Sequence, residues 1–308
     1  MRKIILLCTS LFAVVLLFSA TPVRAQSVVW VSATGSDANN CLQTTPCATF
    51  QGAYNQGNVA QINCLGSGLY GSITITTSLT IDCGAGNVGN IASLGFTAIT
   101  INTTAAATIT LRHLALNGLA TNNNIYGILA ISFFSGTLIV EDCMIHGYHD
   151  GFGIYFQPNS GRGLLQVSNS QVFDNVTGIV VSPAAGQIAS VTLDRVESVG
   201  NQNYGVELGG NVVAGTMRDS VVGENGVTGV LSNANQVFFT VEESSIVDNL
   251  VNGIQSNSPG SAIKVAASTI GGNGTGVLAS AGSIVSFGDN HISDNGSEGN
   301  FSSTKALK

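Results

Sequence analysis

Two groups of residues have the types and spacing to do chemistry, and the first is a polar pair that recurs along the chain. If the pairs stack on successive turns of a solenoid, their side chains lie about 5 Å apart, close enough for carboxylate pairs, salt bridges or a Ca²⁺ site. A stack of solvated turns whose opposite charges neutralise one another is the simpler interpretation. We call these pairs the charged stripe. They are Arg112-His113, Glu141-Asp142, Ser168-Asn169, Asp194-Arg195, Arg218-Asp219 and Glu242-Glu243.

The second group lies where the repeats are longest and comprises His146, Tyr148, His149, Asp150 and Arg162. An aromatic ring can stack on a sugar, while imidazole and carboxylate groups can perform acid–base catalysis on a glycosidic bond. A polar loop is the simpler interpretation here too. The candidate catalytic residues of both groups are Glu141, Asp142, His149, Asp150 and Arg162. The candidate binding residues are His146, Tyr148, Asp194, Arg195, Arg218 and Asp219.

These groups are positioned by an eleven-residue sequence repeat, called the phrase below. It recurs through the second half of the chain. A glycine, usually followed by Ile or Val, comes three or four residues after each copy. A fixed period of 22 to 26 residues is typical of a stacked solenoid. The clearest copies are LQVSNSQVFDN, VTLDRVESVGN, GTMRDSVVGEN, FTVEESSIVDN, IKVAASTIGGN and VSFGDNHISDN. They end in the asparagines Asn175, Asn201, Asn225, Asn249, Asn273 and Asn295.

Alternation within the phrase predicts short strands. Positions 1 and 3 are mostly apolar, as are positions 6 and 8 in many copies, and a period of two places such residues on one face of a strand. The polar pair at positions 4 and 5 turns the chain, and the asparagine and the later glycine make the next turn. Three strands per coil predict an all-β, right-handed parallel β-helix with three sheets and about ten coils. Stacked asparagines would then hydrogen-bond from coil to coil as a ladder.

The two ends of the chain are predicted to differ from the repeats. Residues 1–25 combine a basic start, an apolar stretch and a small-x-small site, which predicts a signal peptide and export to the periplasm, the cell surface or the medium. Residues 26–58 contain a strand and a short amphipathic helix, and they are predicted to cap the first coil. Residues 59–300 are predicted to form the β-helix, and residues 301–308 are predicted to fray.

Export makes disulfides permissible. Cys41 and Cys47 bracket a short loop, and Cys64 and Cys83 follow similar strands about one coil apart, so we predict these two pairs. Cys143 is left over at an apolar position and is predicted to be a buried free thiol. The cysteines and histidines do not have the spacing of metal ligands, so Ca²⁺ on the charged stripe is the one cofactor considered.

The charge balance limits the partners. The chain carries a net charge of −7 with only 9% charged residues, and removal of the basic leader makes the exported form more acidic. This composition argues against a nucleic-acid partner and weakens binding to polyanions such as pectate. Apart from the leader, no segment is long and apolar enough to span a membrane. The oligomeric state is not predicted.

The coils resemble the pectin-lyase-like right-handed β-helix superfamily, and the opening WVSATGSDANNCLQTTPCATFQGA resembles the cap of exported bacterial β-helix repeat proteins. The resemblance implies the fold, which lyases, hydrolases, epimerases, adhesins and tailspikes share, and does not choose among them. The Asp-Asp pair and the Gly-His-Gly of polygalacturonase-like sites are missing. Arg162, Arg195 and Arg218 remain as candidate bases, but none lies in a lyase-like motif.

We therefore predict an exported protein, without an identifiable catalytic motif, that presents a long surface to carbohydrate or to a cell-surface partner. The alternative is a polysaccharide lyase or glycoside hydrolase, and the second alternative is a structural surface protein.

Overall fold

The computed structural model describes residues 27–84, 86–93, 95–119 and 126–306. Within these ranges the chain winds into a right-handed parallel β-helix of about nine turns, which confirms the predicted fold class. The predicted signal peptide lies outside the described residues. No helix in the described ranges is long and apolar enough to cross a membrane.

Short strands separated by tight turns make up almost all of the described chain. The first part contains β1 (Ser27–Val31), α1 (Phe50–Tyr54), β2 (Val59–Cys64), β3 (Gly68–Leu69), β4 (Ile73–Ile75), β5 (Leu79–Asp82) and β6 (Gly89–Ala92). The middle part contains β7 (Ile99–Arg112), β8 (Leu114–Asn117), β9 (Ile128–Glu141), β10 (Met144–His146), β11 (Phe152–Pro158), β12 (Arg162–Phe173), β13 (Thr177–Val181) and β14 (Ile188–Val199).

The regular part follows with β15 (Tyr204–Leu208), β16 (Val212–Arg218), β17 (Val221–Gly223), β18 (Thr228–Ser232), β19 (Gln236–Glu242), β20 (Ser245–Val247) and β21 (Asn252–Ser256). The last coils contain β22 (Ser261–Ala266), β23 (Thr269–Gly271), β24 (Thr275–Ala279), β25 (Ser283–Ser286), β26 (His291–Ser293), β27 (Ser297–Gly299) and β28 (Ser303–Thr304).

Each regular coil contributes one strand to each of three parallel sheets, as predicted from the phrase. β16, β17 and β18 form one coil, and they pair in parallel with β19, β20 and β21 of the next. The apolar residues at position 3 stack in register and are buried, which places the core inside the coil. These residues are Val167, Leu193, Met217, Val241 and Val265.

The last copy of the phrase departs from the alignment made on sequence. Val265 pairs with Ser286 rather than with Phe287, and Ser286 is the buried residue. The sequence alignment of the first half of this copy is therefore wrong by one residue. Because strand side chains alternate, a shift of one moves Phe287 away from the core position.

The asparagine ladder runs through the interior of one corner. Each asparagine side chain donates from Nδ2 to Oδ1 of the asparagine one coil later, over 2.8–3.1 Å. The same Oδ1 accepts the backbone N–H of the preceding asparagine. From Asn175 to Asn273 these side chains are almost completely buried. Buried amides with all their partners fix the register of neighbouring coils.

The turn at this corner is made differently from the prediction. The residue with positive φ is the one before the asparagine, for example Asp174 (φ 55°), Glu224 (φ 55°) and Asp248 (φ 56°). The later glycine is required for a different reason, since a Cβ at Gly229 would lie 2.7 Å from the carbonyl oxygen of Gly253 and 2.8 Å from Asn249 Nδ2. The asparagine and the next coil therefore leave room only for a hydrogen atom at the glycine.

A second ladder, of serines at position 6, was not predicted. Ser220 and Ser244 are buried, and each hydroxyl accepts the N–H of the residue one coil earlier, at 3.1 and 3.2 Å. Each hydroxyl also donates to the carbonyl two residues before it, over 2.7 Å. Position 6 was expected to be apolar in many copies. In most copies it is an inward-facing serine that satisfies the backbone at the sharp corner beside it, whereas Val196 places an apolar side chain there.

The predicted cap region contains the expected strand and helix. β1 pairs in parallel with β2, and Phe50 and Ala53 of α1 face the core. Thr49 caps the helix by accepting the Gly52 N–H, and the Asp37 carboxylate binds the Thr49 hydroxyl over 2.7 Å. At the other end β28 pairs in parallel with β25, so the coil arrangement continues past residue 300. Fraying of residues 301–308 stays a prediction.

Both predicted disulfides, Cys41–Cys47 and Cys64–Cys83, are present. Cys143 is free and buried, and it occupies a position that serine holds in the later coils. Burial raises the pKa of the Cys143 thiol to about 12. The thiol is therefore protonated at neutral pH, which makes it unreactive.

Candidate functional site

The charged stripe forms two parallel columns on the outside of one corner. At position 4, Glu141 lies in register between Arg112 and Ser168, and Asp194 lies between Ser168 and Arg218. Every residue at position 5 has a left-handed backbone, with φ from 47° to 55° between His113 and Glu243. A single left-handed residue makes the sharp corner, and Asn, Asp and His adopt this conformation more readily than most residues. The corner presents both columns to solvent.

The arginines of the stripe are paired with neighbouring carboxylates. Arg112 Nε lies 2.6 Å from Glu141 Oε2. Arg218 lies 3.3 Å from both Asp194 and Asp219. The hydrogen bond and the charge of Asp194 raise the pKa of Arg218 above its ordinary value. A general base needs its pKa lowered toward the working pH, so this environment opposes such a role for Arg218.

Arg195 is held in the same way, by two neighbours. Its Nη2 contacts Asp194 Oδ2 at 2.5 Å, and its Nε donates to Asn169 Oδ1 over 2.6 Å. In these coils charges of opposite sign meet across and along the stripe. Networks of this kind stabilise modestly at an exposed surface. Glu242 and Glu243, at the end of the stripe, are two neighbouring carboxylates.

His113 lies between two carboxylates from different coils. Its Nδ1 is 2.8 Å from Asp82 Oδ1, and its Nε2 is 3.7 Å from Asp142 Oδ2. Partial burial of Asp82 opposes its ionisation, but the Gly84 N–H, the His113 ring and the charges of His113 and Arg112 outweigh that effect. The pKa of Asp82 is therefore below its ordinary value.

A pH-dependent loss of stability follows from Asp82. A carboxyl with a folded-state pKa below the unfolded value of about 3.9 stabilises the fold above that pH. This stability is lost as the pH falls through the lower, folded-state pKa. In wild type the free energy of unfolding is expected to be lower at pH 3 than at pH 6. We expect this difference to be smaller in Asp82→Asn, measured by urea unfolding at each pH. Asp289→Asn is the control, and an equal narrowing in both variants would contradict the assignment to Asp82.

The second predicted group does not form a site around Tyr148. Tyr148 occupies the position that asparagine holds in later copies, so it points inward and is completely buried. Its N–H donates to Asn175 Oδ1, and its hydroxyl lies 3.3 Å from Ser93 Oγ. Burial raises the pKa of the hydroxyl. The prediction that Tyr148 contacts a ligand is therefore wrong, and aligning HGY with the asparagine position would have shown it.

The two histidines of this group are tied to their own neighbours. The His146 ring stacks on Phe173 with centroids 4.8 Å apart, and burial lowers the pKa of His146. His149 Nε2 lies 2.9 Å from Asp174 Oδ1. The ring stack and the short contact with Asp174 place both side chains at the corner that carries the asparagine ladder, although His149 Nε2 forms no hydrogen bond of acceptable geometry there.

The candidate catalytic residues lie at separate places on the coil and do not converge. Arg162 donates to Ser190 Oγ over 2.7 Å at the start of β12. The residue of β12 paired with Glu141 is Ser168, six positions further on, so Arg162 and Glu141 are roughly 20 Å apart along the sheet. Asp150 lies in the turn after β10, on a different corner from Glu141 and Asp142. Asp142 Oδ2 lies 3.7 Å from His113 Nε2.

A groove of about 550 Å³ lies beside the charged stripe. Position 5 of the stripe forms one wall, with His113, Asp142, Asn169 and Arg195. Position 7, on the outer face of the adjoining sheet, forms the floor, with Ala115, Met144, Gln171 and Glu197. The segment at 86–88 closes one end. The groove crosses five coils, a length of roughly 20 Å at the strand spacing of 4.8 Å.

The floor of the groove was not predicted. Met144 exposes 40% of its surface, and Gln171 Nε2 donates to Glu197 Oε2 over 2.7 Å. Position 7 has no constant residue type, so the repeat gives no signal there beyond outward-facing alternation. Among the described residues, no group of three or more His, Cys, Asp or Glu side chains could hold a metal ion. Ca²⁺ binding on the stripe stays a prediction.

Stacked coils with three parallel sheets, an internal asparagine ladder and an outer groove define a right-handed β-helix of the pectin-lyase-like fold. Neither models of known protein families nor the sequences of curated proteins match the chain.

Solved structures with this fold do match. A pectate lyase, Pel9A, has a TM-score of 0.57 at 16% identity, over 91% of this chain and 78% of that one. The A-module of mannuronan C-5 epimerase AlgE4 from Azotobacter vinelandii has a TM-score of 0.40 at 13% identity, over 90% of this chain and 100% of that module. A GH136 lacto-N-biosidase from Eubacterium ramulus has a TM-score of 0.42 at 10% identity, over 93% of this chain and 69% of that one.

Proposed function

We propose that this chain is an exported saccharide-binding protein that holds one polysaccharide strand along the groove beside the charged stripe. The observation that carries the proposal is the continuity of the groove across five coils. A groove of this length and shape suits an extended chain of sugar rings better than a single small molecule. The two disulfides support an oxidising compartment outside the cytoplasm.

The lining has the chemistry that sugar binding requires. The exposed Met144 side chain offers an apolar surface for a ring face, and the Asn169, Gln171 and Glu197 side chains offer donors and acceptors for hydroxyl groups. The pectate lyase that shares the fold acts on a polysaccharide, which supports a saccharide ligand. A cell-surface glycan would satisfy the same chemistry.

The charge pairing favours binding over catalysis. Arg195, the candidate base nearest the groove, is bonded to Asp194 and Asn169. Asp142 faces His113, while Glu141 is bonded to Arg112 in the column formed by position 4. Glycosidic cleavage uses two carboxyl groups facing each other across the scissile bond. The described lining residues supply no such pair on opposite walls.

Calorimetric titration of the exported chain with a panel of hexasaccharides tests the proposal. We expect binding by the wild type, and a loss of at least about tenfold in affinity for Met144→Ala/Gln171→Ala, since central contacts dominate binding. The matched control is Thr269→Ala, which changes the exposed position 7 of β23, outside the groove. Equal losses in both variants, or no binding to any member of the panel, would contradict the proposal.

The enzyme alternative is tested on the same panel. Incubation of each hexasaccharide with the exported chain, followed by chromatography of the sugars, reveals any shortened product. Turnover abolished by Asp142→Asn would establish a lyase or hydrolase in place of a binding protein. Failure of both experiments would leave the role of a structural surface protein.

A further inference from the structure

The proposed groove has few free positive charges and two carboxylates. Arg195 is the one arginine or lysine among the described lining residues, and its guanidinium is already bonded to Asp194 and Asn169. The positive charge of Arg195 is therefore largely compensated by the Asp194 carboxylate. An incoming anion would have to displace one of these partners to gain a contact.

The carboxylates of Asp142 and Glu197 are less well compensated. Glu197 accepts a hydrogen bond from the uncharged Gln171, and no ion pair to Glu197 is found in the described part of the chain. Asp142 lies 3.7 Å from His113 Nε2, while the other nitrogen of that ring is bound to Asp82. One imidazole between two carboxylates cannot cancel both of their charges.

These two carboxylates are spread along the groove. Asp142 and Glu197 belong to coils two steps apart, so they are separated by roughly 10 Å along the axis. An acidic sugar chain with a carboxylate on every ring would bring several of its charges close to one or the other. Like charges brought together in a partly desolvated site oppose binding strongly.

Resting on the proposed function, we infer that the saccharide recognised by the groove is neutral, and that the groove rejects polyuronates and sulfated glycans. Uncharged sugar hydroxyls can donate to Asp142 and Glu197 and accept from the amides of Asn169 and Gln171. The carboxylates thus serve as acceptors for neutral rings and as a barrier to acidic ones. The ligand class differs in charge from the pectate of the structurally similar lyase.

The test compares three neutral hexamers with one acidic hexamer of equal length on one protein. Affinities for hexamers of β-1,4-linked glucose, mannose and xylose and for the hexamer of α-1,4-linked galacturonate are measured at pH 7, in low and high salt. We expect wild type to prefer a neutral hexamer by at least about tenfold, with a smaller preference at high salt because screening weakens the repulsion.

The double variant Asp142→Asn/Glu197→Gln assigns the preference to the groove. Asparagine tolerates the positive φ of residue 142, and glutamine keeps an acceptor for Gln171, so this variant retains the local geometry. We expect it to reduce the preference at least about tenfold. Glu243→Gln removes a stripe carboxylate outside the groove and is expected to leave the preference unchanged.

Three outcomes are distinguishable. Equal or tighter binding of the galacturonate hexamer by wild type overturns the inference while the proposed saccharide binding stands. A preference for neutral hexamers that the double variant retains also overturns it, because the carboxylates would then not be its source. If wild type binds none of the hexamers, the proposed function itself is contradicted.

Discussion

We expect Asn225→Ala to lower the free energy of unfolding by roughly 3–5 kcal/mol, because it leaves several buried polar groups without partners. Asn225 Oδ1 accepts both the backbone N–H and the side-chain amide of Asn201, over 3.1 and 3.0 Å. Its Nδ2 donates to Asn249 Oδ1 over 2.9 Å and to the Ser198 carbonyl over 3.2 Å. Alanine replaces none of these bonds, and the Asn225 side chain is almost completely buried.

The measurement is equilibrium urea unfolding followed by circular dichroism. Asn235→Ala is the matched control, since Asn235 also donates to an asparagine one coil away, Asn211, but at an exposed position. We expect the control to change stability by less than about 0.5 kcal/mol. An effect of Asn225→Ala as small as that of the control would show that the ladder does not hold the coils together.

Gly229→Ala is expected to cost about 2–4 kcal/mol, because a methyl group cannot fit between neighbouring coils. The added Cβ would lie 2.7 Å from the Gly253 carbonyl oxygen, 2.8 Å from Asn249 Nδ2 and 3.0 Å from Ile246 Cγ2. The first two contacts belong to the backbone and to the ladder, neither of which can move without breaking hydrogen bonds. The coils must therefore separate locally or the ladder must distort.

Thermal and urea unfolding of Gly229→Ala and of Gly66→Ala measure this effect. A Cβ at Gly66 meets nothing within 4 Å, and its φ is not positive, so this control is expected to be close to neutral. If Gly229→Ala leaves the free energy of unfolding unchanged, neighbouring coils have room for a methyl group at this corner. That result would contradict the explanation that only a hydrogen atom fits at the recurrent glycine.

The sequence was sufficient to predict the architecture because the same pattern of strands and turns is repeated in each coil. The period, the alternation and the terminal asparagine each specify the coil independently, so agreement among several copies corrects errors in one. The last copy shows the limit of that reasoning. An extra residue in its corner turn replaced Phe287 by Ser286 at the core position, and nothing in the local sequence marks where the insertion lies.

The candidate site was harder to predict because outward-facing residues are free to vary. The stripe could be predicted, since positions 4 and 5 are polar in most copies and the register stacks them. The groove floor could not, because Met144, Gln171 and Glu197 share a position but no chemical type. The error at Tyr148 had a different cause, which was reading a polar, aromatic segment as a loop when the repeat placed that residue in the interior.

Hydrogen–deuterium exchange of the protein, with and without a neutral hexasaccharide that it binds, tests the location of the site most directly. We expect slower exchange in peptides that cover residues 113–115, 142–144, 169–171 and 195–197, with no change around Asp150 and Arg162. Protection confined to the segment 147–162, or to another sheet, would contradict the assignment of saccharide binding to the groove beside the charged stripe.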